Sequence, residues 1–494
     1  MGLPGQDVGA AGDAGAVFVL FGGSTGLSAT GRDFLLQDQG GVHEDGDRFG
    51  DALGAGDFNG DGFADLAVGA PGEDLESPVF ILDAGAVNIY YGSAAGLIGG
   101  EHVPGSSQFL TQDSANVAGA AEDLDNFGQT LGAANFGKSS HADLAVGVPF
   151  EDIGPATDLR TDAGAATVIY GTSTGLSGAG SQQWTQDSSG VADSVESDDR
   201  LGLALTAANL GRSTHADLAI GVPFEQSVGT IADAGAVHVL YGTSTGLSAT
   251  GNQLWHQNTT GVADSVEAFD FFGTALTAGN FNNGQAADLA IGVPGEDFSA
   301  TNFDAGAANV LYGTSNGLTA FGNQFWHQDS SGILNSVEPA DEFGFALAAG
   351  NFGKGTGIDL AVGVRREGVS GFAEAGAANV LYGASGGLSA TGNQFWHQNI
   401  TGIADSAEAD DHFGTALAAW NFGMSAQSDL AVGVPDEDIA SNCFGDPIVD
   451  GGGTNVLYGG ATGGLSATGD QLFIQENLGH CSEAGDQLAK ALVP

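Results

Sequence analysis

The 494-residue chain is poor in positive charge: 10 Lys and Arg stand against 61 Asp and Glu, a formal net charge of −51. Such a surface repels nucleic acid and anionic membranes and favours bound cations and basic partners. Adaptation to a salty medium, or plain solubility, accounts for the same excess. Only two cysteines are present, Cys443 and Cys481, too few for a metal cluster or a disulfide scaffold. No apolar run approaches the ~20 residues needed to span a bilayer, so membrane insertion is not expected. Met1–Asp7 carries neither a basic n-region nor an apolar h-region, so no signal peptide is visible, and any export signal would lie outside this chain.

Proline is scarce, at 12 residues, whereas glycine reaches 84 and apolar residues 42%. That mixture disfavours long helices and suits short strands joined by tight turns. The apolar residues are spread evenly because the chain is repetitive. A D-A-G-A motif, leading into alternating apolar residues and an aromatic-Gly pair, starts at Asp13, Asp83, Asp162, Asp233 and Asp304, then at Glu374 as EAGA and at Asp450 as DGGG. A Phe-Gly motif recurs every 70–78 residues, at Phe49, Phe127, Leu201, Phe272, Phe343 and Phe413, and in decayed form at Leu488. D-L-A-[VI]-G starts at Asp65, Asp143, Asp217, Asp288, Asp359 and Asp429, and Trp-x-Gln stretches begin at Trp184, Trp255, Trp326 and Trp396.

Each unit holds four strand-like segments. In the clearest, strand A covers Phe272–Phe281, B Asp288–Val293, C Ala307–Tyr312 and D Gln324–Gln328. Four antiparallel strands repeated radially describe an all-β, seven-bladed β-propeller; a solenoid would use much shorter units. The expected division is a single domain, 1–494, with six blades at 49–126, 127–200, 201–271, 272–342, 343–412 and 413–487. The closing blade takes strands C and D from 1–48 and strand A from 488–494, and lacks most of strand B.

Phe-Gly followed by Asp57-Phe58-Asn59-Gly60-Asp61-Gly62-Phe63-Ala64-Asp65-Leu66-Ala67-Val68-Gly69-Ala70-Pro71 resembles the FG-GAP repeat of integrin-α propellers and of many bacterial surface or secreted proteins. The resemblance implies an extracellular or cell-surface adhesion propeller. It is specific for fold and weak for function, since one fold hosts several activities.

The strongest chemical motif is the A–B loop Asp57-x-Asn59-x-Asp61-Gly62-Phe63-x-Asp65. Asp57, Asn59, Asp61 and Asp65 offer side-chain oxygens, Phe63 its carbonyl, and Gly62 the sharp turn, an all-oxygen set suited to Ca²⁺. A solvated Asn-Gly/Asp-Gly turn is the plain alternative. The other five A–B loops lose the set, with Lys138, Arg212 or Lys354 at or beside a ligand position, and are expected to hold themselves as turns.

Acidic residues gather before Phe-Gly (Glu196, Asp198, Asp199; Glu267, Asp270; Glu408, Asp410, Asp411) and after strand B (Glu73, Asp74; Glu151, Asp152; Glu296, Asp297; Glu437, Asp438). Both sets rim one face of the disc, either as a solvated rim or as further cation or docking positions. G-x-S-x-G recurs in five blades between strands C and D, which makes it a turn rather than a nucleophile elbow. His256, His327 and His397 share one register, and no histidine pair has zinc spacing. Trp184, Trp255, Trp326 and Trp396 are expected to pack between blades, and the sequons at Asn258 and Asn399 are chance matches.

No convergent Asp/Glu/His/Arg set marks one blade as catalytic; Arg365-Arg366 is the one unusual cluster. The expectation is a monomeric, non-enzymatic, calcium-stabilised propeller binding a protein or glycan. Its alternative is the non-catalytic propeller region of a larger secreted hydrolase of lipase or phosphatase type. Cys443 and Cys481 lie in neighbouring loops on one face and are expected to form a disulfide that pins the closing blade, with two free thiols as the other possibility.

Overall fold

The computed structural model describes all residues except 38–40, 77–78, 98–106, 227–230, 356 and 494. Six four-stranded sheets and one three-stranded sheet follow one another along the chain, each antiparallel and in simple sequential order, with a two-stranded ribbon at Gly92–Leu97. The chain is a seven-bladed β-propeller. The first complete blade comprises Ala52–Gly56, Asp65–Ala70, Ala86–Tyr90 and Ser107–Leu110. Every D-L-A-[VI]-G segment is a fully buried strand B, as its unbroken apolar run requires. The A strands of successive blades pack on one another. The apolar cores lie between blades: one joins Val237, Tyr241 and Trp255 of one sheet to Phe272, Ile291 and Leu311 of the next.

The sequence boundaries of strand D need correction. In the clearest unit it runs Gly317–Trp326, starting well before Gln324, and strand A is the shorter Leu276–Gly279. The C–D hairpin is tighter than its polar, glycine-rich sequence suggests. Thr314 pairs with Gly317, whose φ of 97° requires glycine, and a bulge between Val310 and Tyr312 restores the register.

Two repeated motifs meet one to one. The D-A-G-A segment of each blade docks on the Phe-Gly segment opening the next: Phe49 N–H donates to the Ala14 carbonyl, Phe127 to Ala84, Leu201 to Ala163, Phe272 to Ala234, Phe343 to Ala305 and Phe413 to Ala375, each at 3.0 Å. Leu488 donates to Gly451 at 3.3 Å and closes the set. The glycine of the motif permits this approach; at Gly235 (φ 81°) a Cβ would lie 2.3 Å from the Phe272 carbonyl oxygen.

A second clasp joins blades farther out. Tyr170 and Gln182 together hold the Leu247 backbone of the next blade, with Leu247 N–H donating to the tyrosine hydroxyl at 3.0 Å and Gln182 Nε2 donating to the Leu247 carbonyl at 3.1 Å. Tyr458 and Gln471 hold Leu27 in the same way, joining the sixth complete blade to the N-terminal strands. The clasp fails once: Phe21 and Asp33 stand in the tyrosine and glutamine registers of the closing blade, and Asp33 Oδ2 is buried without a partner.

The closing blade is shared as expected. Gly2–Leu3, Ala16–Gly23 and Gly26–Leu35 form its three-stranded sheet. Gly2 N–H donates to the Ala491 carbonyl and Ala489 N–H to the Gly2 carbonyl, both at 2.8 Å, so 489–491 stands in the place of strand A. The ladder between the strand B stub and strand C covers only Ala16 and Val17, where the blade containing Asp143–Val148 pairs five residues. An apolar cavity of about 780 Å³, lined by Val19, Phe21, Leu66, Trp420, Phe422 and Leu492 among others, adjoins the shortened ladder.

Candidate functional site

The A–B loop 57–65 winds around its own side chains. Asp57 Oδ1 accepts from the Gly60 and Asp61 N–H groups at 2.6 and 3.1 Å, and its Oδ2 accepts from Gly62 at 3.0 Å. Asn59 Oδ1 accepts from Asp61 N–H at 2.9 Å, and Asp61 Oδ1 from Phe63 N–H at 2.9 Å. Gly60 and Gly62 take φ of 74° and 91°, which such winding requires. Asp57, Asn59 and Asp61 are thus brought onto one exposed turn, with Phe63 exposed beside them.

Asp65 sits apart from that exposed group. It is buried, accepting from Phe58 N–H and Gly92 N–H at 2.8 Å each, and burial raises its pKa to about 6. Asp143, Asp217, Asp288, Asp359 and Asp429 make the same pair of bonds in the other complete blades, so this aspartate ties strand B to strand C in all six of them. Each oxygen of Asp65 keeps a further lone pair. The donor set of the loop is all oxygen and carries three carboxylates, the chemistry a hard divalent cation takes.

The other loops do without this set. Asn135, Asn209 and Asn421 each cap their own turn through Nδ2, at 2.9–3.1 Å. Lys138, Arg212 and Lys354 lie over the rings of Tyr170, Tyr241 and Tyr382 at 3.7, 4.4 and 4.4 Å, so a tethered cation rests beside these loops. The Asn283-Gly284 loop, which keeps one further oxygen donor in Asn282, is closed by Gly284 N–H donating to Asn280 and Asn282 Oδ1 at 2.7 and 2.6 Å.

The acidic face departs from a solvated rim. Asp198 and Asp410 are exposed, but Asp199, Asp270, Asp411, Glu151, Glu225, Glu296 and Glu437 are buried. The underlying repeat is Gln, then E-x-x-D before Phe-Gly, then Glu after strand B. In each case the aspartate accepts from the N–H of the glutamate three residues earlier, as Asp199 Oδ2 does from Glu196 at 2.9 Å. The glutamine donates to the glutamate, as Gln257 Nε2 does to Glu296 Oε2 at 2.7 Å. Burial, then neighbouring carboxylates, push Glu225 and Glu437 up to about 9 and Asp125 and Asp341 to about 8. The glutamines were legible only as companions of tryptophan. Their spacing from the partner glutamates, 39 residues in five blades, as from Gln186 to Glu225, and 36 from Gln37 to Glu73, was the available signal.

Arg365 and Arg366 mark the exception. Arg366 Nε meets Glu374 Oε2 at 3.0 Å and Arg365 meets Glu342, while His412 bridges Asp436 (2.7 Å) and Glu374 (3.3 Å). This half-exposed network pairs three carboxylates with two arginines and His412. Cys443 and Cys481 form the disulfide, with Cα atoms 5.3 Å apart. Trp184, Trp255, Trp326 and Trp396 belong to the inter-blade cores, whereas Trp420 is 62% exposed.

Fold and repeat together define the class: the chain is a β-propeller carrying the FG-GAP repeat, whose family model matches residues 49–90, and an integrin-α-like propeller is consistent with it. Among curated proteins it is similar to phosphatidylinositol-glycan-specific phospholipase D. The human enzyme is 36% identical over 143 residues (28% of this chain, 15% of the enzyme), the bovine 35% over 140 (28% and 15%) and the mouse 31% over 118 (24% and 14%). The chain thus covers about a seventh of the length of these relatives.

Proposed function

We propose that the chain is a non-catalytic binding propeller, extracellular or at a cell surface, which holds Ca²⁺ in the Asp57–Asp65 loop and engages a protein or glycan ligand as a monomer. The observation that carries this reading is the loop itself. Asp57, Asn59 and Asp61 converge on one exposed turn of an otherwise locked ring, where four of the five sister loops lie beside a tethered cation or cap themselves with a single asparagine. The disulfide supports an oxidising compartment. The likeness to phosphatidylinositol-glycan-specific phospholipase D favours one second reading, the propeller region of a larger secreted hydrolase.

The purified chain, probed on arrays of glycans and extracellular proteins in calcium and in EDTA, is expected to bind in calcium alone and to bind more weakly as Asp61→Ala. Cleavage of a phosphatidylinositol-glycan by the chain alone, or calcium-independent binding, would contradict the proposal.

A further inference from the structure

We propose that three carboxylate triads, Glu196–Asp199–Glu225, Glu338–Asp341–Glu367 and Glu408–Asp411–Glu437, are divalent-cation sites at blade junctions, on the face opposite the Asp57–Asp65 loop. In each triad one oxygen from every member lies within 4.8 Å of the others. The first two members come from the loop entering a blade and the third from the loop after that blade's strand B, so an ion here would tie two loops together.

Carboxylates brought this close need a counter-charge. The charged groups pressing on Glu225 are Asp199, Asp193 and Glu196; on Glu437, Asp405 and Asp411; on Glu367, Glu338. All are acidic. By contrast the nearby cluster Glu374–Asp410–His412 is supplied with Arg366 by the protein.

The second observation is a set of buried oxygens with nothing to bond. Gln186, Gln328 and Gln398 are each 1% exposed. Their amides sit on the third carboxylate of each triad, through Nε2 to Glu225, Glu367 and Glu437. In all three, Oε1 has no partner among the described residues. Asp199 Oδ1 and Glu437 Oε1 are likewise buried and unpaired. A buried acceptor without a donor is costly. Here the unpaired atoms of the triads and of their glutamines are oxygens only, on side chains that adjoin three carboxylates, which calls for a cation rather than a water donor alone. Hard oxygen donors drawn from two irregular loops suit Ca²⁺ better than Mg²⁺, which demands tighter octahedral geometry. At the junction of the chain ends Gln6 replaces the third carboxylate and accepts from Gln475 Nε2 at 2.9 Å, and Gln475 Oε1 and Asp486 Oδ1 are buried and unpaired there as well.

The inference stands apart from the loop reading, and the test separates them. EDTA-stripped full-length Asp61→Ala is titrated calorimetrically with CaCl₂ and, separately, MgCl₂, and bound metal is counted after desalting. Calcium uptake is expected to persist in that background and to fall by three ions per chain when Asp199→Asn, Asp341→Asn and Asp411→Asn are added. Asparagine keeps the size and the acceptor for the glutamate N–H, so the fold should survive; circular dichroism checks this. A parallel variant with Glu225→Gln, Glu367→Gln and Glu437→Gln attacks the same sites from the other loop. No uptake by Asp61→Ala, or undiminished uptake in whichever triple variant is folded, would overturn the proposal.

Discussion

At the scale of single residues, the repeat motifs are contacts between blades before they are anything else. The D-A-G-A glycine is the clearest case. Gly235→Ala would force a side chain into a left-handed backbone and onto the Phe272 carbonyl, 2.3 Å away. The expected cost is about 2–3 kcal/mol, read as a lower midpoint in denaturant unfolding; an unchanged midpoint would mean that the latch carries no stability. The aspartate of D-L-A-[VI]-G shows why residue roles were only partly legible. Asp65 was read as a possible ligand because its spacing from Asp57 fits a metal loop, but spacing does not reveal that both its oxygens accept backbone N–H groups. The buried glutamines were missed for a related reason. Their partner glutamates lie 39 residues away and meet them only once two blades are stacked.

At the scale of elements, strands B and C were legible because buried strands read as apolar runs of fixed length, and Asp288–Val293 agrees to the residue. Strand D was cut short because T-A-F-G-N reads as a turn, whereas the sheet takes it as an exposed strand half, with Phe321 90% exposed. The loops of the acidic face carry two predictions. Burial raises the carboxyl pKa of Glu225 and Glu437 to about 9 in the folded chain, so without metal the folded state binds more protons than the unfolded one. A raised acid pKa lowers stability as pH rises from the unfolded value, near 4.5, to the folded one. The EDTA-stripped protein should therefore unfold at lower denaturant at pH 8 than at pH 5.5; the opposite slope would contradict these shifts. Reduction of Cys443–Cys481, which spans 38 residues, should cost about 2–4 kcal/mol in the same measurement, and a midpoint indifferent to reductant would remove its structural role.

At the scale of the whole molecule, closure depends on chain ends that share a blade. Seven latches are made, but the Tyr–Gln clasp is replaced by Phe21 and Asp33 where the shared blade meets the first complete one. That seam also borders the apolar cavity and the shortened ladder. Hydrogen exchange should therefore be faster in Ala16–Gly23 than in its counterpart Ala165–Thr172, and removal of Gln471–Pro494 should widen the difference; equal protection would argue for a differently paired ring. The central claim is that a bound cation belongs to the native state of this acidic propeller, and a ligand of the native state raises stability by mass action. Scanning calorimetry of the EDTA-stripped chain with and without added calcium tests it most directly. The account predicts a higher midpoint in calcium and a smaller rise for Asp61→Ala, whereas a midpoint unmoved by calcium would contradict it.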